Sequence, residues 1–202
     1  MTKSGKPYHH GDLRQALLSE SERILESEGL PALTLRAAAR AAGVSHTAPQ
    51  NHFGDMTGLL SELAADGHRR LGAAMAEAVA AAGDNAQGKR RAMGRAYLHF
   101  ARRHPGLFTL MFRSEKLDAT RPALAEAIQQ SRQSLRDAVI AATPGIAADP
   151  LAVAARATAA WAVVHGYVML MVEGRLKGTL AALPGTDAET LFDAVLDTVS
   201  FR

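Results

Sequence analysis

The sequence has no cysteine, which excludes disulfides, thiol catalysis, thiolate zinc sites and thiol redox sensing. Aromatic residues make up only 5% of the 202 residues, while small alanines are abundant. This composition favours a helical core built from small side chains. No apolar signal-type segment stands near the N-terminus, so we expect a cytoplasmic protein without a secretory leader.

Long apolar runs and strand patterns are also lacking. The longest apolar run covers 157–172, is interrupted by His165 and Gly166, and is flanked by Arg156 and Glu173. It is short for a membrane span of about 20 residues and predicts a buried helix instead, with no membrane partner. Helical periodicity recurs along the chain and period-2 alternation does not, which predicts an all-α fold of about nine helices.

Catalytic signatures are missing as well. We find no HExxH, no phosphate-binding glycine loop, no paired-carboxylate motif and no nucleophile–base spacing. An enzyme using His104, His165 or the carboxylates is therefore disfavoured, and no metal or cofactor is expected. The net charge of +3 is compatible with a polyanionic partner. A helical protein-binding module remains an alternative, since the last predicted helix carries an apolar stripe.

The stretch from 34 to 53 predicts two short helices joined by a tight turn. Thr34 is a good N-cap for the first helix. Its apolar residues fall at i, i+3, i+4 and i+7: Leu35, Ala38, Ala39 and Ala42. Gly43 suits the left-handed residue that ends a helix, and Ser45 is a candidate N-cap for the second helix. Helix, glycine turn and helix together are typical of a DNA-binding helix-turn-helix.

The second helix of this unit has a polar side and an apolar side. At about 100° per residue, one side collects four polar residues: His46, Thr47, Gln50 and Asn51. Pro49 and Phe53 fall on other faces. Glutamine and asparagine can bond adenine bidentately in the major groove, and histidine and threonine can contact phosphate or base edges. The alternative is an ordinary helical hairpin with a polar solvent face.

The remaining chain divides into an arm before this unit and a series of helices after it. Residues 1–11 are expected to form a basic arm that meets phosphates or a DNA groove, or stays solvated. The residues able to make such contacts are Lys3, Lys6, His9 and His10. The predicted domains are 1–55, the arm and DNA-binding domain, and 56–202, a helical ligand-binding and dimerisation domain. A cluster of basic residues at 89–103 is interpreted as a solvated helix face.

Large apolar and aromatic residues recur in the second half and are candidate walls of a small-molecule pocket. The set is Tyr97, Phe100, Phe108, Met111, Phe112, Trp161, His165 and Met169. Trp161 and His165 are four apart and share one helical face. Such residues at helical spacing also suit an ordinary core, and His165 also suits a hydrogen-bonded core histidine. The predicted guest is apolar or amphipathic.

Five segments resemble the tetracycline-repressor (TetR) family of bacterial transcriptional regulators. They are YHHGDLRQALL (8–18), LTLRAAARAAGVSHTAP (33–49), NHFGDMTGLLSEL (51–63), HPGLFTLMF (104–112) and AWAVVHGYVMLMVEGRL (160–176). Trp161, His165 and Gly166 match the WHG pattern of the ligand-binding domain in one branch of the family. The resemblance covers the whole chain.

The resemblance implies a homodimer that binds a palindromic DNA operator, with the third helix of each subunit in successive major grooves. Contacts carried over by position are Ser45, His46, Thr47, Asn51 and His52, and the predicted DNA-binding set also includes Thr34 and Gln50. The last two long helices would pair with their mates in a four-helix bundle. A small molecule would bind among the middle helices, and ligand and operator would be negatively coupled, as in a repressor released by its effector.

Two positions depart from the family pattern. The family usually has tyrosine where this chain has Gln50 and lysine where it has Met56. Both residues usually contact phosphates, so their loss implies weaker or less salt-dependent operator binding. Gln50 would instead contribute to base reading. A degenerate regulator with weak DNA binding is the corresponding alternative.

Overall fold

The computed structural model describes residues 10–143 and 145–198, and every regular element in those ranges is helical. The α-helices are α1 His10–Glu28, α2 Leu35–Ala41, α3 Ala48–Phe53, α4 Met56–Ala81, α5 Ala86–Arg103, α6 Pro105–Met111, α7 Pro122–Ala142, α8 Pro150–Val172, α9 Lys177–Ala181 and α10 Ala188–Thr198. Short 3-10 turns stand at Leu30–Ala32, Ser114–Lys116 and Ile146–Ala148. The all-α prediction is confirmed, with ten α-helices in the described ranges rather than nine.

The additional helix arises where α8 ends earlier than expected. The apolar spacing predicts a helix from about Pro150 to Leu176, but Gly174 adopts a left-handed φ of 71° and α8 ends at Val172. The Arg175 amide then donates to the Leu170 carbonyl at 2.8 Å, which closes the helix end. A new short helix, α9, begins at Lys177 in a segment that was mostly assigned to a loop.

The chain ends fall partly outside the described residues. The predicted basic arm lies outside them through residue 9. Asp12 is a plausible N-cap and predicts a first helix from about residue 12, whereas α1 begins at His10. The last predicted helix was expected to reach Phe201; α10 is described to Thr198, and residues 199–202 lie outside.

Two compact units can be distinguished along the chain. The N-terminal unit combines residues up to 68 with 106–127, and the C-terminal unit combines 69–105 with residues from 128 onward. The division differs from the predicted one at 55/56, because the first half of α4, nearly all of α6 and the start of α7 group with the helix-turn-helix.

The N-terminal unit is built around leucines and phenylalanines of α1, α3, α4, α6 and α7. Its fully buried large side chains are Leu17, Phe53, Leu59, Leu63, Leu107, Phe108, Leu110 and Leu124. The start of α6 is held by Glu26 of α1, whose carboxylate accepts from the amides of Gly106 and Leu107, both at 2.9 Å. A carboxylate suits this position because the first amides of a helix have no intrahelical partner and carry partial positive charge.

The C-terminal unit packs α5, α8 and α10 around Phe192. This ring is fully buried and lies 5.0 Å from the ring of Tyr167. Gly94 of α5 makes room for it, since a Cβ there would lie 3.2 Å from two ring atoms. The Tyr167 hydroxyl donates to the Ala188 carbonyl at 2.6 Å, which fixes the start of α10.

Ion pairs reinforce the contact between α5 and α10. Arg95 Nε donates to an Asp193 carboxylate oxygen at 3.0 Å, and this pairing raises the pKa of Arg95 and lowers that of Asp193. His99 lies 2.8 Å from Glu189, and Arg91 pairs with an α10 carboxylate. Several residues of the basic cluster at 89–103 thus pair with acids of α10 rather than forming a purely solvated face.

A buried histidine joins α4 to α6 inside the N-terminal unit. His68 is 7% exposed, hydrogen-bonds the backbone of Met111, and meets the Phe112 ring edge-on with centroids 5.6 Å apart. Burial disfavours the imidazolium and lowers the pKa of His68 below its ordinary value of 6.5. The folded protein therefore holds this histidine neutral near pH 7.

This histidine predicts a loss of stability in mild acid. Because its folded pKa lies below the unfolded value, the unfolded chain binds more protons once the pH falls through about 6.5. The free energy of unfolding should therefore be highest above pH 6.5 and fall as the pH drops toward the folded pKa. His68→Gln, which keeps a donor but cannot titrate, should flatten this dependence in urea unfolding between about pH 7.5 and 5. Identical pH profiles for parent and variant would contradict the assignment.

Candidate nucleic-acid interface and aromatic cluster

The turn between α2 and α3 has the predicted capping geometry. Thr34 is extended, and its hydroxyl accepts from the Ala37 amide at 3.0 Å. At the other end of α2, Gly43 has a left-handed φ of 67°, and the Val44 amide donates to the Ala39 carbonyl at 3.0 Å. The N-cap and the glycine stop are therefore confirmed as local structure.

The start of α3 was predicted wrongly. The helix begins at Ala48, not directly after Ser45, and the Ser45 hydroxyl lies 3.1 Å from that of Thr47 instead of capping an amide. A helix capped by Ser45 would need its first i→i−4 bond from residue 49, which is a proline without an N–H. The chain instead makes a turn in which the Ala48 amide donates to the Ser45 carbonyl at 3.0 Å.

The polar side of this segment is exposed in the N-terminal unit. Six of the seven candidate contact residues are exposed: Thr34, Ser45, His46, Thr47, Gln50 and Asn51. The seventh, His52, is half-buried. Pro49 and Phe53 are buried, as expected for the opposite side of α3. Met56, half-buried, is the first residue of α4. The exposed side groups of α3 are therefore uncharged amides, available to hydrogen-bond base edges.

The C-terminal end of α3 is held by two arginines that sequence reasoning missed. Arg121, just before α7, donates from its guanidinium to the Phe53 carbonyl at 2.9 Å. The guanidinium of Arg14 in α1 lies 5.8 Å from the centroid of the Phe53 ring and pairs with Glu62. The available sequence signal was Gly58, a glycine inside the first turn of α4, which marks a close approach by another group.

The C-terminal unit brings together three members of the predicted ligand set. The Tyr97 hydroxyl lies 2.9 Å from Nδ1 of His165, and the Trp161 and His165 rings are 5.5 Å apart. Burial raises the pKa of Tyr97 and lowers that of His165, so a neutral phenol and a neutral imidazole share this bond near pH 7. Trp161 is 47% exposed, although Tyr97 is buried.

The other predicted wall residues are divided between the two units. Phe100 is buried in the C-terminal unit, 5.1 Å from the ring of His104, and Met169 is half-buried on α8. Phe108 and Met111 are buried in the N-terminal unit, where the half-buried Phe112 lies 5.1 Å from Phe108. These three residues pack in the core around α6. This agrees with the alternative interpretation that such residues belong to an ordinary core. A ligand-contacting role for any of the eight stays a prediction.

A separate cleft of about 300 Å³ opens at the ends of α5 and α8. Its lining residues are Ala101, Arg102, Pro105, Met171, Val172, Asp187 and Ala188. None of them belongs to the predicted ligand set. Sequence periodicity could not find this cleft, because it forms where two helix ends and the segment before α10 meet.

Comparison with known proteins supplies the family. Residues 90–199 match the model of the tetracyclin repressor-like C-terminal domain. A solved protein of unknown function from Rhodococcus sp. RHA1 is 34% identical, with 96% of each chain covered and a TM-score of 0.78. No curated protein matches the sequence.

More distant solved structures share the fold. The TetR family transcriptional regulator PfmR from Thermus thermophilus is 18% identical over 90% of this chain and 94% of its own, with a TM-score of 0.61. The multidrug binding protein EbrR, solved with imidazole, is 19% identical over 94% of this chain and 96% of its own, with a TM-score of 0.54.

A helix-turn-helix with an exposed polar face, followed by a larger helical region, is the arrangement of a DNA-binding transcriptional regulator in this family. The family model covers more than half of the 202 residues. The chain belongs to the tetracycline-repressor family.

Proposed function

We propose that this chain is a repressor that reads a palindromic operator as a homodimer and is released by a small apolar or amphipathic molecule. The observation that carries the proposal is the amide pair Gln50 and Asn51, exposed on α3 while Pro49 and Phe53 of the same helix are buried. This arrangement presents hydrogen-bonding groups outward from a helix whose other side is anchored. The contact set is Thr34, Ser45, His46, Thr47, Gln50, Asn51 and His52.

The homodimer is supported by the surface of α8. This 23-residue helix is long and apolar enough to cross a membrane by length and composition, yet only 17% of its most apolar window is buried. Apart from Trp161, which belongs to the aromatic cluster, its exposed residues are small or apolar: Pro150, Leu151, Ala154, Ala155, Thr158, Ala159, Ala162 and Leu170. An apolar surface of this extent marks an interaction site, and a second copy through α8 and α10 fits the family.

The effector site is proposed at the Tyr97, Trp161 and His165 cluster. A half-exposed indole beside a buried phenol and a half-buried imidazole offers stacking surface and few polar groups, which suits an apolar or amphipathic ligand. Release of DNA then follows if the effector binds better to the conformation that binds operator poorly.

The reading face is tested by Gln50→Ala and Asn51→Ala. The duplex is one selected by the parent protein from a random-sequence pool, compared with a scrambled duplex in mobility shifts. Each variant should lose ~1–3 kcal/mol of binding to the selected duplex and relax its preference at one base position. Gln133→Ala, an exposed glutamine of α7, is the matched control and should bind as the parent does.

Two outcomes would overturn this reading. Unchanged selectivity in both variants would show that α3 does not read bases. Absence of any selected sequence at low salt would favour the degenerate regulator or the protein-binding module, since Gln50 and Met56 stand where the family has phosphate-contacting residues.

The dimer is tested by placing a charge on the exposed face of α8. Ala159→Glu should shift the protein from dimer to monomer in sedimentation equilibrium, because a carboxylate is costly to bury without a partner. Binding to a palindromic duplex should weaken with it, as one half-site replaces two. Ala76→Glu, on an exposed position of α4, should remain dimeric. A dimeric Ala159→Glu variant would place the interface elsewhere.

The effector site is tested through Trp161, the single tryptophan of the chain. Binding at the cluster should change its fluorescence and raise the thermal midpoint, since a ligand at 100 times its dissociation constant adds ~2.7 kcal/mol. A hit from a panel of apolar and amphipathic compounds should also weaken operator binding. Trp161→Phe should reduce the thermal shift. An undiminished shift in that variant would point to the cleft beside Arg102 instead.

A further inference from the structure

We propose that Arg121 is a positioning residue for DNA reading, which fixes the C-terminal end of α3 and so the angle at which Gln50 and Asn51 face the groove. This inference rests on the proposed role of α3 as the reading helix. It assigns a part in recognition to a residue 68 positions beyond Phe53 in sequence and outside the segment predicted to bind DNA.

The first support is the hydrogen bond itself. The Arg121 guanidinium donates to the carbonyl oxygen of Phe53, the last residue of α3, at 2.9 Å. The last carbonyls of a helix lack intrahelical partners and carry partial negative charge, so a cation is well placed there. In a six-residue helix this carbonyl lies within one turn of Gln50 and Asn51.

The second support is the space that Gly58 of α4 leaves for the Arg121 guanidinium. A Cβ on Gly58 would come within 2.6 Å of an Arg121 Nη and 2.8 Å of its Cζ, and within 1.9 Å of the Phe53 oxygen. Glycine inside a helix is less favourable than alanine by ~1 kcal/mol. The space that Gly58 leaves open is occupied by the two groups of the bond, so the approach is close and specific.

The third support is the hydrogen-bonded turn at 118–121, which positions Arg121. The Asp118 amide donates to the hydroxyl of Ser61, a buried serine of α4, at 2.9 Å. The Asp118 carboxylate accepts from the Thr120 amide at 3.0 Å and lies 4.0 Å from Arg121 Nε. The turn from 118 to 121 is thus tied to α4 and to itself, which limits the conformations open to the arginine.

Because of these contacts, we expect the loss of Arg121 to reduce the sequence selectivity of DNA binding rather than the electrostatic attraction to phosphates. The guanidinium is engaged with a carbonyl and seated against Gly58, and only 31% of the Arg121 side chain is exposed. Base reading depends on the orientation of α3, whereas non-specific binding depends on the phosphate charge. Loosening the end of α3 should therefore weaken selective binding and leave non-specific binding nearly unchanged.

The experiment compares Arg121→Met, Arg121→Lys and Arg132→Met in the full-length protein. Met keeps the apolar stem and removes the donors; Arg132, exposed on the adjoining α7, controls for the lost charge. Affinities for the parent-selected duplex and a scrambled duplex are measured by anisotropy over a salt series. Arg121→Met should lose about tenfold on the selected duplex, or ~1.4 kcal/mol. Its scrambled-duplex affinity and salt slope should stay at the parent values.

Arg121→Lys should recover part of the selectivity, because an ammonium can still donate to the carbonyl but lacks the planar fork. Arg132→Met should match the parent on both duplexes. Thermal midpoints and helicity are recorded on the same samples, so that a loss of folded protein, which weakens both duplexes alike, is recognised.

Distinct results overturn the inference. Parent-like selectivity in Arg121→Met contradicts it directly. An equal loss of affinity on both duplexes also contradicts it, whether that loss comes from unfolding or from a lost phosphate contact. A lost phosphate contact would lower the salt slope by about one. If the parent selects no sequence at all, the proposed function fails and this inference falls with it. A selective parent with an equally selective Arg121→Met variant removes this inference alone.

Discussion

The shortness of α3 is the constraint on which the DNA-reading part of the molecule depends. Six residues make too few intrahelical bonds to hold a helix by themselves, since nucleation is costly and propagation adds little over so short a length. The helix is kept by what surrounds it: Phe53 buried beneath it, the α2 turn before it and arginines at its far end. Its outward amides are usable only because the other side is fixed.

The features predicted correctly from sequence are those whose cause is local. Thr34 caps the amide three residues ahead of it, and Gly43 supplies a left-handed backbone, so both can be recognised from a few neighbouring letters. The start of α3 is also determined locally, because Pro49 has no amide N–H to donate to the Ser45 carbonyl. The early end of α8 has the same origin, because Gly174 stops a helix whose apolar periodicity runs on.

What sequence could not supply is the pairing of distant residues. Arg121 and Phe53 are 68 positions apart, and only the fold brings them together. The candidate pocket residues show a second limit of sequence patterns. Spacing placed Phe108, Met111 and Trp161 in one candidate set. The first two are buried in the N-terminal unit, whereas Trp161 is half exposed in the C-terminal unit. Periodicity identifies a buried side of a helix but not which core or cavity that side enters.

The charges of the described residues explain why the orientation of α3 matters. The exposed amides of α3 carry no charge, Met56 stands at the first position of α4, and basic residues of α5 are paired with acids of α10. If α3 is the reading helix, as proposed, its uncharged exposed side chains would release few counterions from DNA. In the proposed function, recognition relies on directional bonds from Gln50 and Asn51, and such bonds weaken steeply when they are misaligned. A regulator of this kind gains more from holding a short helix at a fixed angle than from adding charge to it.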